Sequence, residues 1–188
     1  LNSQPPGTIG SDAKVTVAYN ALDSVYSQID NLNDGANIIG IVDSGIRYTH
    51  RDLAPNMLLD RGYDFGDNDN NPWDIDGHGT HVAGIAAAAL NQYGIIGSNP
   101  VAKIIPVKIE SDANEGAFSF DLFRGVEHAI LKGAKVVNLS YGSQREPNST
   151  EYQAYKELGN NYDALITMSA GNASEYVTDT GYSAYPAS

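Results

Sequence analysis

The sequence predicts an α/β fold, an open and mostly parallel sheet with helices on both faces, and three observations predict it. Four short runs rich in Ile and Val, at 37–45, 103–109, 134–140 and 163–172, are near-continuously apolar, as strands buried on both faces require. Stretches of helical length, Ala-rich or apolar at helical spacing, lie between them. Strand and helix therefore alternate along 188 residues, which suits one layered domain with right-handed crossovers.

Residues 1–36 read as an N-terminal arm and first helix ahead of a core at 37–188. The first strand is NIIGIVDSG (37–45), and the Asp/Asn/Gly-rich stretch DRGYDFGDNDNNPWDIDGHG (60–79) reads as a long surface loop. Its acidic residues Asp64, Asp67, Asp69, Asp74 and Asp76 are expected to be solvated, with cation binding as the alternative. HVAGIAAAAL (81–90) follows as an apolar helix, then the strand KIIPVKI (103–109). SFDLFRGVEHAILKG (119–133) carries apolar residues at helical spacing and ends on Gly133, suited to a C-cap, although Gly125 inside it weakens the helix. After the strand AKVVNLS (134–140) comes a helix over 149–161, with Ser149 or Thr150 as cap, Glu151 near the positive end and Gly159 as terminator. The last strand, within DALITMSAGN (163–172), leads to the end at GYSAYPAS without a closing element. We therefore expect a domain truncated or nicked after residue 188, its exposed sheet edge unstable without a complementary chain.

Composition narrows the function. The net charge of −12, from 23 acidic and 11 basic residues, argues against nucleic acid or an anionic membrane as partner and favours cations such as calcium. The absence of Cys removes disulfides, Cys-ligated zinc and a thiol nucleophile. No run reaches the roughly 18–20 apolar residues that span a bilayer, and the start, LNSQPPGTIGSD, has no signal core, so a processed or trimmed product is expected.

Two polar residues, Asp43 and Asn172, fall where such a sheet builds its sites, at the carboxyl ends of strands, and a third, His78, stands at the mouth of a helix. Asp43 ends an apolar strand, so its carboxylate needs partners: it is a cap for the following turn or the orienter of a catalytic His. His78 lies between Gly77 and Gly79 at the mouth of the Ala-rich helix, where small neighbours let an imidazole meet a substrate; a plain surface His is the alternative. His81 opens a third reading, two His on one helical face holding zinc, but HGTH lacks the acidic base of the HExxH pattern. Asn172, ending a strand after Ser and small residues, either donates an amide hydrogen to a developing oxyanion or takes a left-handed turn conformation.

Asp in DSG (43–45), His in HGTHVAG (78–84) and Asn in SAGN (169–172), in that order, resemble the subtilase family of serine peptidases over about residues 37–188. The resemblance implies that Asp43 fixes the tautomer of His78, that His78 is the general base, that Asn172 is the oxyanion amide and that His81 is structural, packing in the buried helix. It implies substrate contacts at Ser140, Tyr141 and Gly142 in NLSYG (138–142), and at Gly116 and Phe118, where the family offers an edge strand to an extended peptide. Nothing like the family's GTSMA segment occurs, so the nucleophilic Ser is absent. Ser44, Ser140 and Ser169 stand at other positions, and these residues alone are expected to be inactive. A structural calcium ion is implied at Asp52, Ala89, Asn91, Tyr93 and Ile95, all oxygen donors. The family further implies secretion, a peptide or protein substrate and a C-terminal chain carrying the Ser. The competing readings are an inactive peptide-binding module and a metal hydrolase built on His78 and His81.

Overall fold

Ile and Val fill β1 (Ile38–Asp43) because both of its faces are covered, and Ile41 and Val42 have no exposed surface. The computed structural model describes residues 37–91, 93–113, 117–144, 149–169 and 184–185. After β1 come β2 (Tyr63–Asp64), helix α1 (His78–Ala87), β3 (Lys103–Lys108), helix α2 (Ser119–Leu131) and β4 (Val136–Leu139). Strand β5 (Ser143–Gln144), helix α3 (Ser149–Tyr162), β6 (Leu165–Met168) and β7 (Ala184–Tyr185) follow. The five-stranded sheet runs β2-β3-β1-β4-β6 with every neighbour parallel, while β5 and β7 form a separate antiparallel pair.

The two faces carry two cores. On one, Ala83 and Ala87 of α1 meet Ile41, Ile104, Ile46 and Leu53. On the other, Leu122, Val126, Ala129 and Ile130 of α2, with Tyr155 and Leu158 of α3, cover Val42, Val107, Val137 and Leu139. The predicted doubly covered parallel sheet is therefore the observed one. Each of the buried Ile, Leu and Val side chains contributes about 1.5–3 kcal/mol relative to exposure, so the sheet face is the main source of stability. From β1 the chain passes to the edge strand β2, returns through β3 beside β1, and then continues to β4 and β6 on the other side. Asp43 stands at the carboxyl end of the central strand, the edge of an open sheet along which sites form.

Three expectations need correction. Helix α1 spans His78–Ala87 and not 81–90, because side-chain oxygens satisfy the amides of its first turn and draw the glycine-rich residues into the helix. Helix α3 passes Gly159 and ends at Tyr162, where Asp163 takes a left-handed conformation (φ 50°). Gly133 does close α2 in that conformation (φ 103°). The acidic stretch 60–79 is not a solvated loop throughout: it contributes β2, and Asp64 and Asp74 are buried. Lys108 neutralises Asp64 at 3.4 Å, and Asp74 is saturated by hydrogen-bond donors. The expected first helix within 1–36 lies outside the described residues.

Candidate active site

Strand β1 delivers Asp43 with 3% of its surface exposed, and the first residue of α1 places His78 opposite it. His78 Nδ1 lies 2.7 Å from Asp43 Oδ1, which also accepts the Ser44 amide at 2.8 Å. The imidazole side chain is 52% exposed, so one edge of the ring is held by the carboxylate while the ring remains open to a reactant. This closeness depends on Gly79: a Cβ there would collide with the Gly45 carbonyl and stand 3.0 Å from Asp43 Oδ1.

The first turn of α1 is capped by side chains. The Gly77 and Thr80 amides donate to Asp74 Oδ1 and Oδ2 at 2.8 and 3.0 Å, the His78 amide to Asp76 Oδ1 at 2.9 Å, and the Gly79 amide to Ser44 Oγ at 2.9 Å. Negative charge at this end also suits the helix dipole.

The hydrogen bond to Asp43 raises the His78 pKa above its ordinary value; partial burial opposes it, and the charges of Asp43, Asp76 and Glu110 add to it. Burial pushes Asp43 upward, with the His78 hydrogen bond opposing. The proton shared between them stays with the imidazole, the more basic partner by its ordinary pKa. An arrangement of this kind fixes the Nδ1–H tautomer and leaves Nε2 as a proton acceptor.

His81 does not pack inside the helix. It lies with exposed Ile85 on the solvent side of α1, because Gly79, Ala83, Gly84 and Ala87 form the buried stripe. Among the described residues no group of three His, Asp or Glu converges as metal ligands, so His78 and His81 gain no third ligand there.

Asn172 and Gly116 lie outside the described residues. Phe118, at the N-cap of α2, is 79% exposed, and Gly142 is exposed. Ser140 Oγ accepts the Asn138 amide at 2.7 Å. Tyr141 is half-buried against the larger core and accepts the Ala117 amide at its hydroxyl (2.8 Å), which ties the segment before α2 to the end of β4. Ser44 is buried with both hydroxyl roles used, donating to Asp74 at 3.0 Å and accepting from Gly79.

The loop after α1 closes on Asp52, 4% exposed. Asp52 Oδ1 accepts from the Asn91 amide and Oδ2 from the Ile95 backbone, both at 3.2 Å, while the Asp52 carbonyl accepts the Ala89 amide at 2.7 Å. Asn91 Oδ1 accepts the Tyr93 amide at 2.7 Å, and the Arg51 guanidinium lies 3.6 Å from the Tyr93 ring centre. A Cβ on Gly94 would collide with the Asp52 carboxylate, so the backbone cradles it. The loop thus holds a buried carboxylate, Asp52, and an amide oxygen, Asn91 Oδ1, both of them hard oxygen donors of the kind calcium takes.

Sequence reasoning missed Asp74 as a hub and Lys108 as a buried cation. Asp74 lies three residues before the N-cap Gly77, outside the position at which Asp marks a helix start, so its position offered no signal. Lys108 carried no signal, since a lysine at a strand end reads as solvated.

Residues 34–188 match the model described as the Subtilase family. The chain is 41% identical over 137 residues to the cell wall-associated protease of Bacillus subtilis (strain 168), covering 72% of this chain and 15% of that protein. It is 39% identical over 148 residues to thermitase of Thermoactinomyces vulgaris, covering 78% of this chain and 50% of thermitase. Among solved structures, S41 psychrophilic protease matches with a TM-score of 0.65 and 32% identity, over 81% of this chain and 50% of that one. The chain thus spans half or less of the length of these relatives. With the parallel sheet, the Asp43–His78 pair at the carboxyl end of its central strand and a family match over 34–188, the chain belongs to the subtilase family of serine proteases.

Proposed function

We propose that these residues form the part of a serine endopeptidase that carries the orienting carboxylate Asp43, the general base His78 and the oxyanion donor Asn172. The nucleophilic serine comes from sequence outside the 188 residues. The observation that carries the reading is the 2.7 Å contact of His78 Nδ1 with Asp43 beneath a half-exposed ring. In that geometry Nε2 accepts the proton of a serine hydroxyl as its oxygen attacks the scissile carbonyl. Asp43 stabilises the imidazolium that forms, and the Asn172 side-chain amide donates its N–H to the developing oxyanion. Collapse expels the amine, which receives the proton from Nε2, and water repeats the sequence to release the acyl group.

The substrate is an extended peptide lying between Ser140–Gly142 and the segment 116–118, which the Tyr141–Ala117 hydrogen bond holds together. Asp52, with oxygens of Ala89, Asn91, Tyr93 and Ile95, holds a structural calcium ion, and the net charge of −12 favours it. No helix among the described residues is long and apolar enough to cross a membrane, and we assign the protein to the extracellular space by analogy with its family.

A serine-directed fluorophosphonate tests the reading. The expected result is stoichiometric labelling of a serine outside residues 1–188, mapped by peptide mass analysis and lost in His78→Ala. If no serine is labelled and the intact mass under denaturing conditions shows these residues alone, the chain is an inactive peptide-binding module.

A further inference from the structure

Asp74 is a fully buried carboxylate that the acyl-transfer steps do not use, and it sits between the two halves of the dyad. We infer that Asp74 is a positioning residue: its carboxylate clasps the turn after Asp43 to the first turn of α1 and thereby sets the Asp43–His78 contact. Its Oδ1 accepts from Ser44 Oγ at 3.0 Å and from the Gly77 amide at 2.8 Å. Its Oδ2 accepts from the Thr80 amide at 3.0 Å and from the Thr80 hydroxyl. Ser44 adjoins Asp43, and Gly77 and Gly79 flank His78, so each partner of the dyad is anchored through its chain neighbours.

A second tier of bonds closes the clasp. Ser44 Oγ accepts the Gly79 amide at 2.9 Å, Thr80 Oγ1 accepts the Arg47 amide at 2.9 Å, and Arg47 Nε donates to the Asp74 carbonyl at 3.2 Å. The imidazole itself has one hydrogen bond within the described residues, to Asp43, so its placement depends on the backbone of 77–80. Four donors face the two carboxylate oxygens of Asp74, and an Asn there would present an N–H of its own to one pair of them. Burial opposes ionisation of Asp74, but the bonds from Thr80, Gly77 and Ser44 outweigh it and hold its pKa below the ordinary value, consistent with a permanently charged clasp.

The proposal rests on the peptidase reading only for what His78 does, and its test separates the two. Asp74→Asn, Ser44→Ala and Thr80→Val are compared with wild type in the full-length polypeptide carrying these residues. The readouts are the His78 titration and low-field Nδ1 proton resonance by NMR, with kcat and KM where hydrolysis is measured. The ring also faces Asp43, Asp76 and Glu110, so Glu110→Gln serves as the charge control, altering a neighbouring charge and none of the clasp bonds.

In the three clasp variants the Nδ1 resonance is expected to move upfield and the His78 pKa to fall, while kcat drops roughly ten- to hundredfold with KM within about threefold. In Glu110→Gln the Nδ1 resonance stays in place. Variants that melt earlier yet keep the wild-type Nδ1 resonance, titration and kcat make Asp74 a stability residue and overturn the proposal. Should Asp74→Asn fail to fold, Ser44→Ala and Thr80→Val, which leave the carboxylate in place, decide it by the same readouts. If wild type takes no fluorophosphonate label, the peptidase reading fails, and the NMR readouts still decide the clasp.

Discussion

Asp43 and Lys108 are partners on adjacent strands, at the same end of the same sheet, yet they treat charge in opposite ways. Lys108 is sealed: its side chain is 2% exposed and meets Asp64 at 3.4 Å, Asp67 at 4.0 Å and Asp112 closer still. Burial opposes its charge, but the bond to Asp112 and the field of Asp64 hold its pKa above the ordinary value. Asp43 has a single ionic partner, His78, and its Oδ2 is buried with no hydrogen-bond partner among the described residues. Charges satisfied on all sides give a structural joint, whereas a dyad with one side open leaves an acceptor for chemistry.

Swapping the fates of the two sites gives the largest expected effects. Once the nucleophile is supplied, His78→Ala should lower kcat about 10⁶-fold and cost less than about 2 kcal/mol of stability, because the ring is half exposed and water can solvate Asp43. Lys108→Met should do the reverse, costing about 3–5 kcal/mol by leaving buried carboxylates without their cation. Peptide-hydrolysis kinetics and urea denaturation read the pair. A Lys108→Met protein of wild-type stability would show that the network is not the joint described.

The Asp52 loop is a third way of burying a carboxylate, by backbone and amide donors, and it sharpens the contrast because a cation would complete it. Calcium at a hundred times its Kd should stabilise the protein by about 2.7 kcal/mol, read as a rise in Tm that a chelator reverses. Asp52→Asn should abolish the calcium-dependent part. A Tm that is the same with calcium and with chelator would remove the ion from the site.

The sheet was legible because a strand buried on both faces must be apolar throughout, and the runs at Ile38–Asp43 and Lys103–Lys108 carry little else. Asp43 and His78 were legible through their motifs, and the structure brings the two together. The start of α1 was not, because Gly77 and Gly79 lower helix propensity, and the compensating caps from Asp74, Asp76 and Ser44 exist only once the turns are folded. For the same reason the acidic stretch looked solvated: Asp64 and Asp74 find Lys108 and Thr80 through folding, and no spacing in the sequence records those partnerships. His81 was misplaced because an apolar helix reads as buried all round, whereas α1 turns His81 and Ile85 away from its packed stripe.

The smallest expected effect separates the two sites by pH. The Asp43 hydrogen bond raises His78 above its ordinary value of 6.5, and the base role proposed for it requires the neutral ring. The acidic limb of kcat/KM should therefore have its midpoint above 6.5. High salt should lower that midpoint slightly by screening Asp76, an exposed member of the charges that raise it. Stability runs the other way. A group whose pKa is higher folded than unfolded gives its full contribution below the unfolded value and loses it as pH rises through the folded one. The dyad's contribution should thus fade over the same window in which activity rises. Lys108, held above its ordinary 10.5, does not titrate there, so Lys108→Met should leave this pH dependence of both activity and stability in place. An acidic limb at or below 6.5 in the full-length wild-type protein would mean that Asp43 does not hold the imidazolium as the 2.7 Å contact requires.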